Sequence, residues 1–193
     1  MTKLALKADK EIDLTVRHKA FAFQIEAVEA IKDHDYAAVF HEQGLGKTKI
    51  AIDVLLHWLA NELVDSIVIV TKKGLVPNWQ RELRAHTHIK PRLLNQDRSA
   101  NFAALNSPAR IYLTHYEVLN SENNRLQLFQ KTRRVGIILD ESQKIKNPAA
   151  KLTVSAFKLA EGFSKKLILT GTPIANRPYD MWAQIYFLDL GES

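Results

Sequence analysis

Five short runs dense in apolar and β-branched residues recur along the chain, at 36–40 (YAAVF), 66–70 (SIVIV), 110–114 (RIYLT), 135–139 (VGIIL) and 166–170 (KLILT). Three of them are apolar almost without interruption, the pattern of strands covered on both faces, as in a parallel sheet between helices. The intervening segments have helical spacing. Thr48 to Leu59 is apolar nearly all round, which predicts a buried helix with Trp58 in the core. Asn147 before Pro148 predicts a cap and a first-turn proline for a helix running to about Leu159, and Pro178 opens another that ends near Leu188. Pro77 plays the same part for a helix through Leu83. Upstream, Ile12, Leu14 and Val16 alternate with polar residues and predict a short half-exposed strand, and Gln24 to Ile31 reads as a short amphipathic helix. Strands alternating with helices, joined by connections of a dozen or more residues, predict an α/β fold: a mainly parallel sheet with helices on both faces. With no internal repeat and no linker, the expectation is one domain over 1–193, with a short N-terminal extension at 1–20.

Composition narrows the chemistry. The 193 residues are 46% hydrophobic and 25% charged, with 7 Gly and 6 Pro, which is the make-up of a folded globular domain. There is no cysteine, so disulfide frameworks, thiolate metal sites and thiol nucleophiles are excluded. Lys plus Arg is 27 against 21 Asp plus Glu, a net charge of +6 that is compatible with a polyanionic partner. No apolar run approaches the ~18 residues of a membrane span, and the N-terminal apolar island is too short for a secretory signal, so no membrane partner and a cytoplasmic location are expected.

Two segments carry candidate chemistry. The string HEQGLGKT at 41–48 leaves the first predicted strand and enters the most apolar helix. Glycines that turn backbone N–H groups inward, a helix N-terminus and a lysine form a phosphate cradle, and the hydroxyl of Thr48 is placed for Mg²⁺. The second segment ends the predicted strand at 135–139 with Asp140 and Glu141. Adjacent carboxylates at the end of a buried strand need a cation or water, and in a phosphate-binding domain they divide metal binding and water orientation between them.

HEQGLGKT, DESQKIKN at 140–147 and LTGTPIANRPYDMWAQIYFLDL at 169–190 together resemble the N-terminal RecA-like P-loop lobe of the Swi/Snf-family ATPases, DNA translocases of helicase superfamily two. Phe23-Gln24 resembles that family's adenine-reading glutamine element, and the stretches at 67–82 and 111–118 resemble its motifs after the second and next strands. The resemblance implies an ATPase using ATP and Mg²⁺ to move along double-stranded DNA. It assigns Gln24 to adenine, and Gln43, Gly44, Leu45, Gly46, Lys47 and Thr48 to the phosphates. Thr48 and Asp140 fall to the metal, Glu141 to the attacking water, and Gln143 to the link with the third motif. Lys72, Lys73, Thr114 and His115 fall at positions that touch the DNA backbone, and Thr170 and Thr172 at positions coupling the nucleotide to the DNA face.

Several positions depart from the family pattern. Gln143 stands in place of the usual histidine; an amide both donates and accepts, so the link is expected to survive without titrating near neutral pH. His41 replaces an acid and Thr71 a common proline. The second RecA-like lobe, with its arginine finger, is not found before Ser193. A finger is worth roughly 10³–10⁵ in rate, so the lobe alone is expected to hydrolyse poorly. A strand-separating helicase or restriction-enzyme motor, and a nucleotide-binding regulatory module without turnover, remain alternatives. Trp79 and Trp182 are read chiefly as packing residues. His86 and His88 lack the neighbours for a metal site, and the basic stretch from Arg81 through Arg84 and Lys90 to Arg92 fits a solvated face or a phosphate-binding strip.

Overall fold

The structure, a computed structural model, describes residues 12–40, 46–171 and 178–192, without the side chains of 178–180. Six parallel strands form one sheet: β1 (Tyr36–Phe40), β2 (Ser66–Thr71), β3 (Arg92–Leu93), β4 (Ile111–His115), β5 (Val135–Asp140) and β6 (Phe163–Thr170), in the order β1-β6-β5-β2-β4-β3. Among the described residues, eight α-helices accompany them: α1 (Ala22–Ile31), α2 (Lys47–Ala60), α3 (Val76–His86), α4 (Arg98–Asn106), α5 (Tyr116–Ser121), α6 (Asn123–Thr132), α7 (Lys151–Ala160) and α8 (Pro178–Asp189). The expected α/β architecture is present, with β3 as a two-residue edge strand too short to leave a periodic signal.

Alternation along each strand sends side chains to opposite faces. Ile67, Ile69, Ile111, Leu113, Ile138, Leu167 and Leu169 join one core with Ile50, Leu55 and Trp58 of α2 and Trp79 and Leu83 of α3. Val68, Val70, Tyr112, Ile137, Leu139 and Ile168 join a second core with residues of α4 to α8, among them Tyr116, Phe129, Leu159 and Phe187. Both faces of the sheet are therefore dry, which is why the central strands read as continuous apolar runs. Trp58 is fully buried over Gly136, where a Cβ would lie 3.3 Å from the indole ring, and its N–H donates to the Lys32 carbonyl at 2.9 Å.

Two sequence expectations are corrected. Ile12, Leu14 and Val16 form no strand. The Asp13 carboxylate accepts the Thr15 backbone N–H at 2.9 Å and its hydroxyl at 2.6 Å, a local turn that competes with strand pairing. The chain is then pinned by the Arg17 N–H on the His86 carbonyl at 3.1 Å. Likewise Asn147-Pro148 does not open α7. The Asn147 side chain accepts the Ala149 N–H at 3.0 Å and its carbonyl the Ala150 N–H at 3.1 Å, so Pro148 sits second in a β-turn and the helix starts at Lys151. Pro77 and Pro178 do lie at the starts of α3 and α8.

Candidate functional site

Because all six strands are parallel, their carboxyl ends share one edge of the sheet. The register aligns Phe40 with Thr170, Leu169 with Asp140, Leu139 with Val70, and Thr71 with His115. Residues far apart in sequence, Thr71, His115, Asp140 and Thr170, are thus set in a row beside the start of α2.

At that start, Gly46 takes a left-handed conformation (φ +69°), and a Cβ on it would lie 2.2 Å from the Gln24 amide nitrogen. The left-handed backbone favours glycine there, and any added Cβ must push the Gln24 side-chain amide aside. Gln24 is buried beside Gly46 and accepts the Phe21 backbone N–H through Oε1 at 2.9 Å. Phe21 and Phe23 leave their rings exposed and parallel beside it. Lys47 and Thr48 begin α2, half-buried, where unsatisfied backbone N–H groups and the helix dipole favour an anion. Gln43, Gly44, Leu45 and Thr172 lie outside the described residues.

Asp140 is held from three sides. Its Oδ2 accepts the Thr71 hydroxyl and the Trp79 indole N–H, each at 2.8 Å, and its carbonyl accepts the Tyr116 hydroxyl at 2.8 Å. Burial pushes its carboxyl above the ordinary value, the bonds from Trp79 and Thr71 oppose that, and the charge of Glu141 adds to the rise. Burial likewise pushes Glu141 up, but hydrogen bonds from Lys72 and Gln143 and the charges of Lys72 and Lys47 outweigh it and hold the carboxyl below the usual range. Environment thus drives the two neighbouring acids apart. Lys47, which follows the carboxyl end of β1, lies at the same edge of the sheet as the acidic strand end. Glu141 also adopts φ +55°, a left-handed conformation that costs a non-glycine residue about 1–2 kcal/mol and that turns its side chain out of the strand direction.

Gln143 completes the link expected of it. Its amide nitrogen donates to Glu141 Oε2 at 2.5 Å, and its Oε1 accepts the Thr170 hydroxyl at 2.9 Å. Ser142 donates to the buried Gln184 of α8 at 2.5 Å, so the acidic turn is fastened to α8 as well.

The four residues assigned to a DNA face are placed differently from one another. Lys73 is exposed. The Lys72 side chain is 41% exposed, and its ammonium lies 3.0 Å from Glu141 Oε2, turned toward the acidic doublet. Thr114 is fully buried with its hydroxyl on the Leu94 carbonyl at 3.0 Å, so it supports β3 and presents no surface to a duplex in this conformation. His115 is 6% exposed, with Nδ1 2.7 Å from Glu117.

Thr71 and Trp79 are the site residues that pattern reading missed. A hydroxyl ending a fully apolar run was the available signal for Thr71. Trp79 is a core residue, as read, but its N–H serves Asp140 as well. Trp182 is 49% exposed and stacks on Tyr186, so it belongs to a surface aromatic cluster with Phe157 rather than to the core.

A model of the SNF2-related domain matches residues 27–192. The chain is 31% identical over 189 residues to an uncharacterized ATP-dependent helicase of Mycoplasma pneumoniae, covering 91% of this chain and 18% of that protein. It is 31% identical over 163 residues to the chromatin-remodeling ATPase INO80 of Saccharomyces cerevisiae, covering 76% of this chain and 10% of that one. The Sulfolobus solfataricus SWI2/SNF2 ATPase core, solved in complex with dsDNA, superposes with a TM-score of 0.78 at 26% identity, over 92% of this chain and 37% of that chain. The chain thus spans less than a fifth of the length of these curated relatives. The family match runs through both α2 and the acidic strand end, and the shared fold extends over nearly the whole chain: it belongs to the SNF2-related family, as an N-terminal RecA-like lobe.

Proposed function

We propose that this lobe binds ATP with Mg²⁺ at the carboxyl edge of its sheet, promotes attack of water on the terminal phosphate, and works with a second RecA-like lobe to move along double-stranded DNA. The observation that carries this reading is the convergence of the α2 start, Asp140–Glu141 and the Gln143–Thr170 pair on one edge. The relatives supply the direction: an ATP-dependent helicase, a chromatin-remodeling ATPase and an ATPase core with dsDNA.

The donor set fits a hard divalent cation. Asp140 takes its side-chain hydrogen bonds from neutral donors, and burial makes its ionised form costly until a cation compensates it. Asp140 and Thr48 would hold the metal, which when bound neutralises charge on the phosphate oxygens. Lys47 and the N-terminal amides of α2 hold the outer phosphates, and Gln24, flanked by Phe21 and Phe23, meets the base. Glu141, ionised, orients the attacking water and receives its proton as the new O–P bond forms and the bond to the departing diphosphate breaks. Gln143 fixes the Glu141 carboxylate and passes its position to Thr170 and β6. Lys72 and Lys73 offer the cations for a duplex backbone, and turnover depends on the second lobe for an arginine.

Nucleotide binding and duplex-stimulated turnover, measured with the second lobe supplied, test this. Lys47→Ala is expected to weaken ATP binding at least ~10-fold with the unfolding curve unchanged, because the lysine is a point charge on phosphate. Glu141→Gln is expected to keep ATP binding and lose ~10²–10⁴ in turnover. Full activity in Lys47→Ala overturns the nucleotide assignment, and directional unwinding of a labelled duplex, rather than duplex-stimulated turnover without unwinding, overturns the translocation reading.

A further inference from the structure

The connection from β2 into α3 supplies three of the side chains that hold the acidic doublet: Thr71 and Trp79 on Asp140, and Lys72 on Glu141. The two grips differ in kind. Those on Asp140 are buried and made by a strand-end hydroxyl and a core indole, with Tyr116 fixing the backbone behind them. The grip on Glu141 is an ion pair between a carboxylate whose side chain is 13% exposed and an ammonium whose side chain is 41% exposed. An anion approaching from solvent therefore meets Lys72 before Glu141, and Lys73, exposed next in sequence, adds a second cation at the same place. When Lys72 is drawn away, Glu141 keeps its bond to Gln143, which remains tied to Thr170. One carboxylate is free to change partners while its neighbour stays fixed.

We propose that Lys72 parks Glu141 in the resting lobe, and that a phosphate of a DNA backbone, by pairing with Lys72, releases Glu141 to the attacking water. This rests on the ATPase reading above and adds to it the physical link by which the duplex switches the nucleotide site. Lys72 is then a positioning residue, acting on the reaction through Glu141. Its effect is reciprocal: if duplex binding must break the Lys72–Glu141 pair, losing the Glu141 charge must favour duplex binding.

That reciprocity gives a test that needs no turnover. Affinity of the chain for a short labelled DNA duplex is measured by anisotropy at fixed low salt for the parent, Glu141→Gln, Lys72→Met, Lys72→Arg, each Lys72 variant combined with Glu141→Gln, and Asp140→Asn as a control for simple loss of a negative charge. Glu141→Gln is expected to bind about fivefold tighter, the scale of a partly exposed ion pair. The gain is expected to vanish in the Lys72→Met background, to persist with Lys72→Arg, and to have no counterpart in Asp140→Asn. An unchanged affinity, a gain that survives Lys72→Met, or an equal gain in Asp140→Asn overturns the latch. Each of those results leaves the nucleotide reading standing if ATP binding still depends on Lys47. A parent that binds ATP but no duplex overturns the latch together with the DNA part of the proposed function.

Discussion

Gly46 shows how much a single position decides. Its positive φ strains Gly46→Ala in its own backbone, and the added Cβ must push the side-chain amide of Gln24 aside. The backbone part is about 1–2 kcal/mol, and the expected outcome is a lower urea midpoint together with weaker ATP binding, as Gln24 is displaced. Normal stability with normal affinity would show that the loop relaxes freely. Trp79 is the converse case, a residue whose volume and whose single donor do separate work. Trp79→Phe keeps most of the ring but leaves Asp140 Oδ2 with one side-chain donor instead of two. Loss of a buried hydrogen bond to a charged group costs about 1.5–3 kcal/mol, and the Mg²⁺ concentration needed for nucleotide binding is expected to rise. Equilibrium unfolding and a magnesium titration check the two halves separately.

At the scale of elements, the opposite edge of the sheet is clasped by charge. Asp65, just before β2, accepts the backbone N–H of Arg134 at 2.7 Å and pairs with its guanidinium at 2.8 Å, tying the starts of β2 and β5 together. Burial raises the Asp65 carboxyl, but the hydrogen bonds and charge of Arg134, with Arg110 behind, outweigh it and leave it below the ordinary value of 3.8. A folded value below the unfolded one means that the clasp stabilises the native state above 3.8 and loses that contribution as pH falls through the lowered value. Asp65→Asn is therefore expected to unfold at lower urea than the parent near neutral pH, with the gap closing in acid. A gap that stays constant across the titration would place the effect in packing instead. The same scale explains the misread segments: at 12–16 and at 147–150 a side-chain oxygen satisfies backbone N–H groups within two residues, so local turns pre-empt the strand and the helix start that apolar spacing and proline placement imply.

In the whole molecule, the two cores lie on the sheet's faces and the candidate site lies on its edge, so stability and ligand binding are expected to be separable. Ile138, fully buried in the core under α2 and α3, is two residues before Asp140 in the same strand. Ile138→Ala is expected to lose about 2–5 kcal/mol of stability. ATP affinity, measured where the variant is still folded, is expected to stay unchanged, because the strand end is positioned by its ladder and by Thr71, Trp79 and Tyr116. A parallel loss of affinity would mean that core and site respond as one unit.

Strands, most helices and the acidic doublet at a strand end were legible in the amino-acid sequence because each is a local pattern: an apolar run, a helical period, two adjacent carboxylates. The order of the strands is not local, and it is the parallel register that carries Thr71, Asp140 and Thr170 to one edge. Only the fold decides that a core tryptophan donates to Asp140, that a lysine expected on the DNA side rests on Glu141, and that Thr114 is spent on a carbonyl beneath the surface. These contacts join residues about 20 to 70 positions apart, and hydrogen bonds and ion pairs depend on distance and burial, which a linear pattern does not record.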